Sequence, residues 1–125
     1  MIGSVLLIQL AFAAVGSACM ATSPGTSPAA CKNCAMNLIT ITTTGDGGKP
    51  MDGDVIDRNG ACATRTFTCR GAVPSIEFNA GDGTIQDDDD GQVDGVTTTT
   101  LTCNAAGTAW MIADLAVTQI ECASP

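Results

Sequence analysis

The run Cys62-Ala63-Thr64-Arg65-Thr66-Phe67-Thr68-Cys69 constrains this chain more than any other stretch, because a cysteine stands at each end of a β-type segment. Thr64, Thr66 and Thr68 fall on one parity and Arg65 and Phe67 on the other, which suits a pleated, half-buried strand. Asn59-Gly60 just ahead of it is a strong turn signal. Side chains alternate with period two, so two cysteines at this odd separation cannot share one face of a regular strand. Either they point to different partners on opposite faces, or a bulge breaks the alternation.

Covalent anchoring matters here because the apolar core is thin. The 125 residues suit one domain, yet Phe12, Phe67, Phe78 and Trp110 are the whole aromatic set and there is no tyrosine. Seven cysteines offer the missing stability. Disulfides persist in oxidising compartments and contribute about 2–4 kcal/mol each. The formal charge of -8, from 5 basic and 13 acidic residues, argues against nucleic acid and against anionic membrane surfaces, both of which need clustered Lys and Arg. It fits a protein kept soluble in an extracellular fluid.

Residues 1–18 read as a secretory signal: the apolar run Val5 to Val15 is followed by Gly16-Ser17-Ala18, with cleavage expected after Ala18 or, next to it, Ala21. A retained apolar N-terminal segment is the alternative, since no Lys or Arg precedes Lys32. After cleavage no membrane segment is expected. Residues 19–30 form a Ser/Thr/Pro linker arm that opens with Cys19, and residues 31–122 form the folded part. Strands are expected at 37–44, 62–69, 74–78, 96–103, 108–112 and 115–122, with 52–57 either a short strand or an open loop. In the last of these, Leu115 and Val117 lie on one parity and Ile120 and Cys122 on the other. Residues 45–50 and 104–107 are turns, and Gly81 to Gly95 is an acidic loop. Short strands between glycine-bearing turns, without a helical segment, indicate an all-β fold: a small disulfide-stabilised antiparallel β-sandwich of immunoglobulin-like type.

A family resemblance rests on several motifs taken together. They are Cys31-Lys32-Asn33-Cys34, Asn59-Gly60 before the Cys62–Cys69 run, Ile76-Glu77-Phe78-Asn79, Leu101-Thr102-Cys103-Asn104-Ala105-Ala106-Gly107-Thr108-Ala109-Trp110, and Ile120-Glu121-Cys122. They resemble the six-cysteine domain of secreted nematode proteins, over Cys31 to Cys122. The resemblance implies secretion, and it implies that Cys31, Cys34, Cys62, Cys69, Cys103 and Cys122 pair among themselves. Sequence does not select the pairing. Cys62 and Cys69 are expected to bond to different partners, one towards Cys31 or Cys34 and one towards Cys103 or Cys122. Cys19 lies outside the set and is the candidate for an intermolecular bond.

Other chemistry is weighed against simpler explanations. Cys31-x-x-Cys34 has the spacing of a thiol–disulfide exchange site, but the helix and βαβ pattern that such a site needs are absent, so a structural bridge is expected. Zinc held by Cys31, Cys34, Cys62 and Cys69 is disfavoured by the wide second spacing and the lack of histidine. Asp87-Asp88-Asp89-Asp90-Gly91-Gln92-Val93-Asp94-Gly95 partly echoes a calcium loop, with Asp88, Asp90 and Asp94 as weak ligand candidates. Leu101 stands where the bidentate Glu would be needed, so a solvated turn is the main expectation, weak calcium binding the alternative, and no other cofactor is expected. Thr97 to Thr100 put hydroxyls on both faces of a strand, which predicts a sheet edge open to strand addition by another chain. Without histidine or tyrosine an enzyme is not expected. The expectation is a secreted structural or interaction module that self-assembles, or meets a matrix partner, through its N-terminal arm and an edge strand. The alternative is a ligand-binding module using the 81–95 loop.

Overall fold

The computed structural model describes residues 30–125. The predicted signal, the linker before Ala30 and Cys19 lie outside them. Single 3-10 turns at Ala30–Lys32 and Met36–Leu38 lead into β1 (Thr40–Thr42), β2 (Gly48–Lys49) and β3 (Gly53–Asp57). Then follow β4 (Thr64–Arg70), β5 (Ser75–Phe78), β6 (Gly83–Gln86), a 3-10 turn at Asp87–Asp90 and β7 (Val96–Cys103). The chain ends with β8 (Trp110–Ile112), β9 (Leu115–Val117) and β10 (Gln119–Ala123). Among the described residues there is no α-helix. One sheet has the order β1-β10-β5-β6, with β2 also on β10; the other has the order β3-β4-β7-β8-β9. All pairings are antiparallel except β1 with β10, which is parallel.

Parity decides the packing. In β4, Arg65, Phe67 and Cys69 are buried while Thr64, Thr66 and Thr68 are not; in β7, Thr97, Thr99, Leu101 and Cys103 are buried and Thr98, Thr100 and Thr102 are exposed. These inward faces meet Ile76 and Phe78 of β5 and Ile120 and Cys122 of β10 in one core, with Trp110 and Val117 at its side. A β-sandwich results.

The expected strand 115–122 is in fact two. It breaks at Thr118, where the chain leaves one sheet for the other, and this is the physical meaning of its parity switch. Asn79 holds the break. Its Oδ1 accepts from the backbone N–H groups of Thr118 (2.8 Å) and Gln119 (3.1 Å), and its Nδ2 donates to the Ala116 carbonyl (2.9 Å). Asn79 has φ 52°, a left-handed conformation that Asn tolerates better than most residues.

Three local expectations need correction. The predicted strand at 37–44 begins as a 3-10 turn, because Trp110 Nε1 donates to the Ala35 carbonyl and Arg65 Nη1 to the Met36 carbonyl (both 2.9 Å), which draws this segment against the core. The turn at 45–50 contains β2, whose Gly48 passes so close to the Glu121 carboxylate and the Thr43 carbonyl that a Cβ there would lie within 2.6 Å of both. The acidic loop contains β6, formed by ladder bonds to β5 that a sequence with one large apolar residue hardly signals.

Candidate functional site

The six cysteines of residues 31–122 form three bridges: Cys31–Cys62, Cys34–Cys103 and Cys69–Cys122. Cys62 and Cys69 thus bond to different partners. Cys69–Cys122 crosses the sandwich from β4 to β10, with both residues fully buried. Cys34–Cys103 ties the entry segment to the end of β7, and Cys31–Cys62 ties it to the start of the β4 run. Cys31 and Cys34 are partners of other cysteines, so their close spacing forms no exchange dithiol.

Beside this frame sits a buried cation. Arg65 is 2 % exposed and grips Asp54 of β3 through two bonds of 2.8 Å, while its guanidinium lies 4.8 Å from the Phe67 ring centroid and 5.9 Å from that of Trp110. Such a bidentate, aromatic-flanked arrangement suits the planar fork of arginine. The entry segment is held again from outside by Arg58, which donates to the Lys32 and Cys34 carbonyls. Arg65 and Asp54 were not singled out by sequence reasoning, although one charged residue on the same parity as Phe67 was the available signal.

The outward face of the β3-β4-β7-β8-β9 sheet carries a block of threonines. Register places Thr64 opposite Thr102, Thr66 opposite Thr100 and Thr68 opposite Thr98, with Thr66 and Thr100 hydroxyls 3.0 Å apart. Cross-strand separations of about 5 Å and two-residue steps of about 6.7 Å make this a compact net of hydroxyls and methyls. The six threonines carry no charge themselves, but on the same outward face Asp57 stands opposite Thr64 and Arg70 opposite Val96, so a charged residue borders the block at each end, on a chain of net charge -8. Thr97 to Thr100 were expected at a sheet edge with neither face in the core. Instead β7 stands between β4 and β8, and Thr97 and Thr99 face inward. Yet β8 pairs only with Thr102 and Cys103, so Val96 to Leu101 have β4 as their strand neighbour.

The acidic loop is organised from within. Asp87 is buried, and its carboxylate accepts from the N–H groups of Gly95 (2.9 Å) and Asp94 (3.3 Å). Those bonds, led by the one from Gly95, hold its carboxyl below the ordinary value of 3.8. Asp94 Oδ1 in turn accepts from Val96 N (3.1 Å). Asp88 is exposed, and the Asp90 side chain lies outside the described ones. Among the described residues, the one group of three potential metal ligands is Asp52 with Cys69 and Cys122, and both of its sulfurs belong to a disulfide. A cavity of about 170 Å³ opens beside the loop, lined by Ala72, Val73, Gln86, Asp87, Asp88 and Val93.

Comparison with known proteins places this geometry. The family model of the C6 domain matches residues 31–122, the span of the three bridges. The chain belongs to the C6 domain family. It is also similar to an uncharacterized protein of Caenorhabditis elegans, R07B1.7, at 32% identity over 100 residues, covering 75% of this chain. The match spans 65% of that relative's length. No solved structure matches the chain.

The C6 domain therefore carries its six cysteines as one closed frame, with the bridges meeting the entry segment twice and the sheet-to-sheet interface once. Its buried acids are already committed. Glu121 accepts from Thr42 Oγ1 (2.6 Å) and Gly45 N (2.7 Å), as Asp87 does from its own loop. Outward chemistry brought together by the fold includes the threonine block, the small cavity beside Asp88 and a cavity of about 220 Å³ lined by Asp46, Glu77 and Glu121 among others.

Proposed function

We propose that this C6 domain is a non-enzymatic secreted structural or interaction module, self-assembling into an extracellular fibre or matrix through its N-terminal arm and the threonine strand β7. The observation that carries this reading is the uncharged threonine block on a strongly acidic chain. Net negative charge repels copies of such a chain, so the uncharged, β-branched block between Asp57 and Arg70 is where two copies, or a copy and a neutral matrix, meet at least electrostatic cost. The half-paired stretch Val96 to Leu101 adds backbone groups for strand addition at the same place. The closed frame supports it too, since three bridges and buried acids already in hydrogen bonds suit durability better than turnover.

Non-reducing gels, light scattering and electron micrographs of the secreted protein test the reading. Assemblies that weaken in Thr98→Asp/Thr100→Asp and lose their covalent links in Cys19→Ser are expected. Monomers without mixed disulfides at every concentration would refute it. One observation favours a second reading as an extracellular ligand-binding module: Val73 and Val93, 63% and 80% exposed, flank the cavity beside Asp88. Ligand capture lost in Asp88→Asn would support that reading, and this substitution spares the structural carboxylate of Asp87.

A further inference from the structure

We propose that Asn59-Gly60 is a self-modification site at which the folded chain converts Asn59 to isoaspartate and aspartate. The chain has five asparagines, and their surroundings differ in the two respects that govern this chemistry: freedom of the side-chain amide and the size of the next residue. Asn79 is locked, with Oδ1 and Nδ2 both in hydrogen bonds at the sheet switch. Asn104 is locked as well, its Oδ1 accepting from Thr108 N (2.8 Å) and Ala109 N (3.2 Å) and its Nδ2 donating to Thr108 Oγ1. Asn33 is engaged and precedes the bridged Cys34. Asn37 is exposed but precedes Leu38, in a 3-10 turn.

Asn59 differs from all four. It is exposed and lies in the irregular connection between β3 and β4, and its backbone N–H, not its carboxamide, bonds to Asp57 Oδ1 (2.8 Å). Gly60 follows it, also exposed and without a Cβ to obstruct the approach. The Gly60 backbone nitrogen, on losing its proton to solvent, attacks Cγ of Asn59. A C–N bond forms, the Cγ–Nδ2 bond breaks as that nitrogen takes a proton from solvent and leaves as ammonia, and a five-membered succinimide remains. Water then opens the ring. Attack at Cγ gives aspartate; attack at the main-chain carbonyl gives isoaspartate, which carries one extra methylene in the backbone. No oxidant, metal or second protein takes part.

The position gives the change a consequence. Asn59 adjoins Arg58, whose guanidinium clasps the Lys32 and Cys34 carbonyls, and the same connection carries Cys62, bridged to Cys31. The new carboxylate and the longer backbone arise where the entry segment is fastened, so a long-lived copy becomes chemically distinct from a fresh one at that anchor.

The test incubates the disulfide-intact chain at neutral to mildly alkaline pH in heavy-oxygen water, with peptide mapping and enzymatic methylation of isoaspartate. Asn59 should take up label first, with isoaspartate in excess and a rate that rises with pH. Gly60→Ala should slow it about ten-fold, because a Cβ hinders the attack. That variant keeps the fold, since a Cβ there meets only the Cys62 carbonyl oxygen at an ordinary 3.6 Å. Conversion of Asn37, Asn79 or Asn104 as fast as Asn59 would overturn the proposal, as would an undiminished rate in Gly60→Ala. Modification of Asn59 in the reduced, alkylated chain alone would overturn it too.

Discussion

Replacing either member of the Arg65–Asp54 pair should destabilise the domain, and the order of the two effects follows from their burial. Arg65 is 2 % exposed and the Asp54 side chain 20 %. Removing one partner of a buried pair typically costs about 3–5 kcal/mol, because the remaining charge is left without compensation. Arg65→Met keeps the apolar stem and leaves Asp54 with some access to water, and the Met36 carbonyl keeps only its longer bond (3.4 Å) from Ile39 N. Its cost should fall near the lower end, about 3 kcal/mol. Asp54→Asn strands a guanidinium between Phe67 and Trp110 with no route to solvent, and should cost about 4 kcal/mol or more. Arg65→Met/Asp54→Asn removes both charges and should cost clearly less than the two single variants summed. Urea unfolding of the oxidised protein, followed by the fluorescence of Trp110, measures all four species; Trp110 is the one tryptophan and is fully buried. Additive costs in the double variant, or an Asp54→Asn protein within about 0.5 kcal/mol of the parent, would refute the account of Arg65 as a buried, paired cation.

Two further predictions separate structural hydroxyls and carboxylates from the rest. Thr97 and Thr99 both face the core, yet Thr97 Oγ1 donates to the Pro74 carbonyl (3.0 Å) while Thr99 Oγ1 is buried without a partner. Thr99→Val should therefore stabilise by about 1 kcal/mol and Thr97→Val destabilise by a similar amount, both read from the urea midpoint. Asp87 has its folded-state pKa depressed below 3.8, so its contribution to stability is present above the unfolded value and is lost as pH falls through the folded one. Asp87→Asn should be less stable than the parent near neutral pH, with the gap closing in strong acid; a gap independent of pH would contradict the carboxylate's role.

How much of this was legible in the sequence depends on what each residue's signal was made of. The alternation of β4 and the all-β class were readable because period two is a local property, and the set of six cysteines was implied by the family resemblance. The parity switch between Val117 and Ile120 was visible as well, but its cause was not. It needs Asn79, forty residues away from Gln119, to hold the crossing. The same holds for β2 and β6, short strands made by backbone pairing to distant partners. Thr97 to Thr100 were misread for a related reason: threonine is both polar and β-branched, and only the opposite sheet decides that one face enters the core. The Arg65–Asp54 pair was hidden because a lone arginine on an apolar parity gives no hint of where its carboxylate lies.

The way the polar groups are spent is consistent with the interaction surface proposed above. Arg65, Asp54, Asp87, Glu121 and Asn79 each have well-formed partners, and each partner belongs to the fold: a strand, a turn, a crossing or a loop. Catalytic groups characteristically show the opposite, a reactive atom left free beside a cavity with its pKa tuned towards working pH. The resolved shifts here run the other way: Asp87 and Asp52 are both held below the ordinary carboxylate value by hydrogen bonds from their neighbours, Gly95 first for Asp87 and Lys49 first for Asp52. Carboxylates held in that way are poor bases. Beside exposed carboxylates such as Asp46, Glu77 and Asp88, the fold presents outward a net of threonine hydroxyls, which would bind through shape, methyl contact and neutral hydrogen bonds, and whose repetition would reward a partner that is itself repetitive, such as further copies of the same chain.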